Sequence, residues 1–313
     1  MSEFITRLTN DVVFKIVFGS KGSEAPLRAL LNALLDRGPG ERIEQVKIIS
    51  PGLDRDHLDD KHVILDVRAR DQRRGAYNIE VQVASERYFQ KRATFYLSKL
   101  HSRQLRKGEQ YGQIAPSVGI CLLDHIRFPE RENLHSTYLL RERQHGDVLT
   151  GDLQLHFIEL PKFAKRDVND LCTPAEHWLH LLRFSHEYRR GGVPLPEKLM
   201  AEDGVAMAYD KMKRAQSRED VRGWVEMREK GHHDFVSGMA GAREDGVLEG
   251  LERGREQGLE EGRQQGLEQG MDLGSVGARR ETARRLLAEG LDVALVARST
   301  QFSEAEVEAL RNE

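Results

Sequence analysis

LDVRARDQRRGAYNIEVQV, residues 65–83, is the stretch that decides the fold. Val67 and Ala69 alternate with Asp66, Arg68 and Arg70. After Asp71–Gly75, Tyr77, Ile79, Val81 and Val83 alternate with Asn78, Glu80 and Gln82. A period of two sends apolar and polar sets to opposite faces, so residues 61–84 read as an antiparallel hairpin, its first strand including Val63 and Leu65. A turn centred on Arg73 sets Asp66 opposite Glu80 and Arg68 opposite Asn78. Gln82, two residues from Glu80, shares their face. Directly opposed residues lie about 5 Å apart at Cβ, where two carboxylates repel unless a cation separates them. Mg2+ suits such a pair, because it takes few carboxylates and keeps waters. The plainer interpretation is the solvated polar face of an antiparallel sheet.

Outward from the hairpin, helices and strands alternate. Residues 9–18, TNDVVFKIVF, offer an Asx cap and a short apolar helix. Ser23–Asp36 is a clearer helix, with Pro26 in its first turn and leucines at 27, 30, 31, 34 and 35 on one face. Residues 44–50, 116–123 and 152–160 read as strands, 86–107 as a helix, and about 174–240 as helical. This order predicts an α/β core followed by a C-terminal α-helical region. The expected divisions are a core over 1–165, a helical extension over 166–241, an acidic glycine segment over 242–274 and a helical hairpin over 275–313. Two cysteines in 313 residues rule out a disulfide framework, and no stretch approaches 18 uninterrupted apolar residues. A cytoplasmic protein without a membrane span is expected.

The net charge of −3 is an average over unlike parts. Residues 243–272 hold nine acids against four arginines, and residues 275–313 seven acids against six, which leaves residues 1–241 at +3. The cations concentrate after the hairpin. Arg87, Lys91, Arg92, Lys99, Arg103, Arg106 and Lys107 face only Glu86 and Glu109 between residues 86 and 109. Most fall on one half of the helix, while Phe89, Ala93, Tyr96, Leu97 and Leu100 cluster on the other. A basic stripe beside paired carboxylates suits phosphodiester chemistry: the cations hold phosphates while a metal polarises the reacting group.

Several ordered motifs resemble one family. They are Thr9-Asn10-Asp11-Val12-Val13-Phe14-Lys15, Phe18-Gly19, Leu65-Asp66-Val67, Asn78-Ile79-Glu80-Val81-Gln82, Arg92-Ala93-Thr94-Phe95-Tyr96-Leu97-Ser98-Lys99-Leu100 and Phe157-Ile158-Glu159-Leu160-Pro161-Lys162-Phe163. Over roughly residues 6–165 the chain resembles the PD-(D/E)XK nuclease family transposases, also called recombination-promoting nucleases. The resemblance implies a restriction-endonuclease-like core, a central mixed sheet flanked by helices, and Mg2+-dependent DNA endonuclease activity that promotes recombination, with Mn2+ as a substitute. It implies Asp66 as main metal ligand and Glu80 as the second, with Glu24 a further acid. Gln82 stands where the wider superfamily usually has lysine. Glutamine orients a water but brings no charge, so Lys91 or Lys99 becomes the expected source of the cation. The same departure keeps open a degenerate DNA-binding or oligomeric scaffold. Glu176-His177 and His180 have spacing that zinc bridges, but with no third ligand evident they read as surface histidines.

Glycine recurs every fourth residue from Gly246 to Gly274. Each step advances about 40°, so the stripe winds round a helix, and eight glycines cost about 8 kcal/mol relative to alanine. The segment is therefore not expected to be a stable helix alone. It reads as a linker or as a self-associating element, with a homodimer the expected assembly. Residues 279–313 read as three short helices, with Gly290 capping the first and Ser303 and Glu306 boxing the last. Val293–Leu310 resembles a helix-turn-helix, yet Glu304, Glu306 and Glu308 oppose a single Arg311 on its second helix. Phosphates would repel that surface, so it reads as a protein-contact hairpin.

Overall fold

The computed structural model describes residues 5–38, 40–49, 66–83 and 86–312. Residues 61–65 of the expected hairpin, with Val63 and Leu65, lie outside this range. The chain forms two compact units, residues 1–232 and 233–313.

In the first unit a six-stranded mixed sheet runs β1 (Val46–Ile48), β2 (Val67–Asp71), β3 (Ala76–Gln82), β4 (Ser117–Leu123), β6 (Val148–Glu159), β5 (His135–Arg141). β1, β2 and β3 pair antiparallel, β3–β4 and β4–β6 parallel, and β5–β6 antiparallel. The hairpin has the predicted register, with Arg68 opposite Asn78 and Val67 opposite Ile79, so Asp66 and Glu80 stand one step further along.

One face of the sheet packs on the larger helical layer. This layer contains α1 (Asp11–Gly19), α2 (Glu24–Leu34), α4 (Pro174–Gly191), α5 (Glu197–Met200), α6 (Val205–Gln216) and the first turns of α7 (Glu219–Ala288). The Asn10 side chain caps α1 by accepting from the Val12 and Val13 amides. Phe14, Phe18 and Trp178 stack in series where α1 meets α4. Gly204, at φ +74°, begins α6 so close to α2 that a Cβ would lie 2.8 Å from that of Ala29.

The other face carries α3 (Phe89–Ser102), whose Phe89, Ala93 and Leu97 pack on Cys121, Leu123, Leu155 and Phe157. This helix is shorter than expected. It ends at Ser102, so Arg103, Arg106 and Lys107 follow it and Arg87 precedes it. β5 was not anticipated and β6 begins before residue 152. These strands meet at the sheet edge through an irregular register, which blurs their alternation.

In the second unit, α7 passes through all eight periodic glycines as continuous helix. The intervening residues include Leu, Glu, Gln, Arg and Met, which favour helix, and ion pairs such as Arg253–Glu249 add a little more. Nothing lies within 4 Å of where a Cβ would stand on any of those glycines. The first of three expected short helices is the end of α7. It is followed by α8 (Val293–Thr300) and α9 (Glu304–Arg311) around Ala283, Val296, Ala297, Val307 and Leu310. Gly290, at φ +82°, turns the chain, and Ser303 with Glu306 forms the predicted capping box. Among the described residues, no helix is long and apolar enough to cross a membrane.

Candidate active site

The polar side of the hairpin is buried. Every residue of β3 is shielded, because its Asn78, Glu80 and Gln82 point to the face covered by α3. Glu80 is 3% exposed and Asp66 8%. A merely solvated sheet face is therefore excluded for these residues. Burying carboxylates is costly unless cations or hydrogen bonds compensate, so the partners decide what the site can do.

Arg92, on α3, supplies the compensation at Glu80. Its Nη2 donates to Glu80 Oε1 at 2.6 Å and to Gln82 Oε1 at 2.7 Å, while Nη1 pairs with Glu86. Gln82 Nε2 donates in turn to Glu86 Oε1 at 3.1 Å. Burial pushes the Glu80 carboxyl above the ordinary carboxylate range, against the pull of Arg92, and nearby Asp66 and Glu86 add to the rise. Beside Asp66, Arg68 Nε donates to Oδ2 at 2.7 Å and to Asn78 Oδ1 at 3.4 Å. Lys15 reaches in from α1 and donates to the Asp66 carbonyl at 2.5 Å. Burial lowers its ammonium to about 8, an effect Asp66 opposes. Cys121, in register with Glu80, has its thiol pushed well up by burial, which suits packing and not nucleophilic attack.

The structure thus brings Asp66, Glu80 and Gln82 together and adds Arg92, Glu86 and Lys15. Lys91 and Lys99 sit on the outer side of α3, their ammonium groups over the Tyr88 and Phe95 rings at 5.6 and 5.8 Å. The cation touching the carboxylate of Glu80 is Arg92. Arg87, Lys91, Lys99, Arg103, Arg106 and Lys107 are all exposed. Glu24 stands in the first turn of α2, on the helical layer that packs against the sheet's other face. Lys15 left one sequence signal, a lysine on the buried face of an otherwise apolar α1. The two histidines read as surface residues are engaged: His177 pairs with Glu202 at 2.8 Å, and the buried His180 with Tyr188 at 2.7 Å.

Among the described residues no group of three or more His, Cys, Asp and Glu side chains is arranged to hold a metal. The carboxylate oxygens of Asp66 and Glu80 nevertheless suit a hard divalent cation, which commonly takes one or two carboxylates and completes its shell with water and substrate phosphate. The guanidinium on Glu80 shows that its carboxylate already binds positive charge.

A six-stranded mixed sheet flanked by helices, with a buried carboxylate pair on its hairpin, has the restriction-endonuclease-like fold. Residues 8–242 match the PD-(D/E)XK nuclease family transposase, and the chain belongs to that family. Residues 278–312 match the Rpn/YhgA-like nuclease family, C-terminal HTH domain. No curated protein and no solved structure gives a significant match. The segment expected to be a protein-contact hairpin is therefore a helix-turn-helix domain, with Glu304, Glu306 and Glu308 on its second helix.

Proposed function

We propose that this chain is a Mg2+-dependent DNA endonuclease of the recombination-promoting type, acting in the cytoplasm, with Asp66 and Glu80 holding the cation and Mn2+ able to replace it. The observation that carries this reading is the buried Asp66–Glu80 pair beside a basic helix. When bound, the divalent cation supplies Lewis acidity at a phosphoryl oxygen and lowers the pKa of water. The side chains do the rest. Gln82 orients the attacking water through its amide. Arg92 neutralises Glu80 and would bring positive charge to the site, in the role expected of Lys91 or Lys99. Lys15 anchors the Asp66 backbone from below. The exposed cations around α3 hold the flanking phosphates.

A homodimer through the glycine-rich part of α7 and DNA contact by the helix-turn-helix domain complete the proposal. Two observations favour a second reading, a scaffold that binds DNA without cutting: Gln82 lacks the lysine charge, and Arg92 already satisfies Glu80. Supercoiled plasmid incubated with the full chain in Mg2+ and in EDTA separates the two. Nicking in Mg2+ alone supports the enzyme, and retention of plasmid with no cleavage in either buffer supports the scaffold.

A further inference from the structure

The outer face of α3 has a composition that phosphate binding alone does not explain. Its exposed positions are Lys91, Thr94, Phe95, Ser98, Lys99 and Ser102, with Tyr88 at the N-cap. The helix contains no acid. Tyr88 and Phe95 are each 61% exposed, although neither ring is needed in a core. Seven residues apart, they differ by only about 20° around the helix axis and stand about 10 Å apart along it. A cation lies over each ring: Arg87 and Lys91 over Tyr88 at 5.5 and 5.6 Å, and Lys99 over Phe95 at 5.8 Å. Arg92 projects from the edge of this face to Glu80, so the strip adjoins the carboxylates.

Lysines and hydroxyls contact phosphates, but an aromatic ring does not. Duplex DNA shows a protein its backbone and the edges of its bases, whereas an unpaired strand offers base faces for stacking on exposed rings. About 10 Å of axial rise between the two residues lets each ring take a base of its own.

We infer that α3 is a stacking platform for an unpaired DNA strand, with Tyr88 and Phe95 each taking a base face while Lys91 and Lys99 hold the adjoining phosphates. The substrate of the site would then be single-stranded or locally opened DNA. This rests on the nuclease reading for its polyanionic ligand, and it adds the strandedness of that ligand.

The test is fluorescence anisotropy in EDTA with the full chain, so that no cleavage intervenes. A labelled 20-nucleotide single strand and the duplex of the same sequence are compared for wild type, Tyr88→Leu and Phe95→Leu. Each substitution should weaken single-strand binding about tenfold and leave duplex binding within about twofold. Tyr88→Trp should retain the affinity, with its fluorescence quenched by the single strand. Both rings are exposed, so the thermal midpoint should not move. Equal losses on both DNAs, no loss on the single strand, or no DNA binding by wild type would overturn the inference. So would binding of the same face to anionic phosphatidylglycerol vesicles with no preference for the single strand. Plasmid nicking in Mg2+ is measured in parallel: nicking with a flat anisotropy comparison refutes only the platform, whereas absence of nicking refutes the nuclease reading.

Discussion

At the scale of single residues, Arg92 on Glu80 and Arg68 on Asp66 decide how two acids survive inside a protein. Glu80 has almost no exposure, and its side-chain ion pair is with Arg92. Breaking a buried pair by removing one partner typically costs 3–5 kcal/mol, because the remaining charge is left uncompensated. Arg92→Met should therefore destabilise the first unit by about 3 kcal/mol in metal-free buffer, and millimolar Mg2+ should restore part of the loss. Urea denaturation with and without Mg2+ checks this, and an unchanged midpoint in both buffers would contradict it. Lys15 tests a different element of the site. Methionine fills similar volume without burying an ammonium, so Lys15→Met should leave the thermal midpoint unchanged or raised. Cleavage should nonetheless fall by about tenfold, the usual penalty for losing a group that supports a metal ligand. Single-turnover kinetics beside a thermal melt make the comparison, and an unaltered rate removes Lys15 from the account.

At the scale of elements, the hairpin was legible because a strict period of two leaves little choice of register. Asp66 and Glu80 could be set opposite each other from spacing alone, and β2 and β3 keep that register. The identity of the cation was not legible. Lys91, Arg92 and Lys99 are near neighbours on one helix, and a rotation of about 100° per residue decides which reaches the sheet. Only packing of Phe89, Ala93 and Leu97 on the strands fixes that rotation, and it turns Arg92 inward. Lys15 was hidden for a related reason: its partner is a backbone carbonyl distant in sequence.

The glycine segment is the element where local propensity and structure diverge most. About 8 kcal/mol of propensity cost stands against exposed surface, and Leu248, Leu251, Leu259, Leu267, Met271 and Leu273 remain largely uncovered. Association of two such helices would bury those side chains, so helicity should rise with protein concentration. Circular dichroism across a hundredfold range in concentration measures this. A signal independent of concentration would identify a helix that stands alone.

At the scale of the whole molecule, the overall charge of −3 conceals a basic first unit and an acidic glycine segment. The average argues against a polyanionic ligand, while the distribution supplies a site for one. Electrostatics are read by surfaces, and the surface beside Asp66 and Glu80 carries no acid on α3. The family match over residues 8–242 and the helix-turn-helix domain over 278–312 fit the same division of labour. The proposal assigns cutting to the sheet and its basic helix. The most direct measurement is the single-turnover cleavage rate of labelled DNA in Mg2+ by the full chain and by Asp66→Asn and Glu80→Gln. The account predicts Mg2+-dependent cleavage by wild type and at least about a hundredfold loss in each variant, with DNA binding retained. Cleavage that persists in both variants, or that proceeds in EDTA, would contradict it.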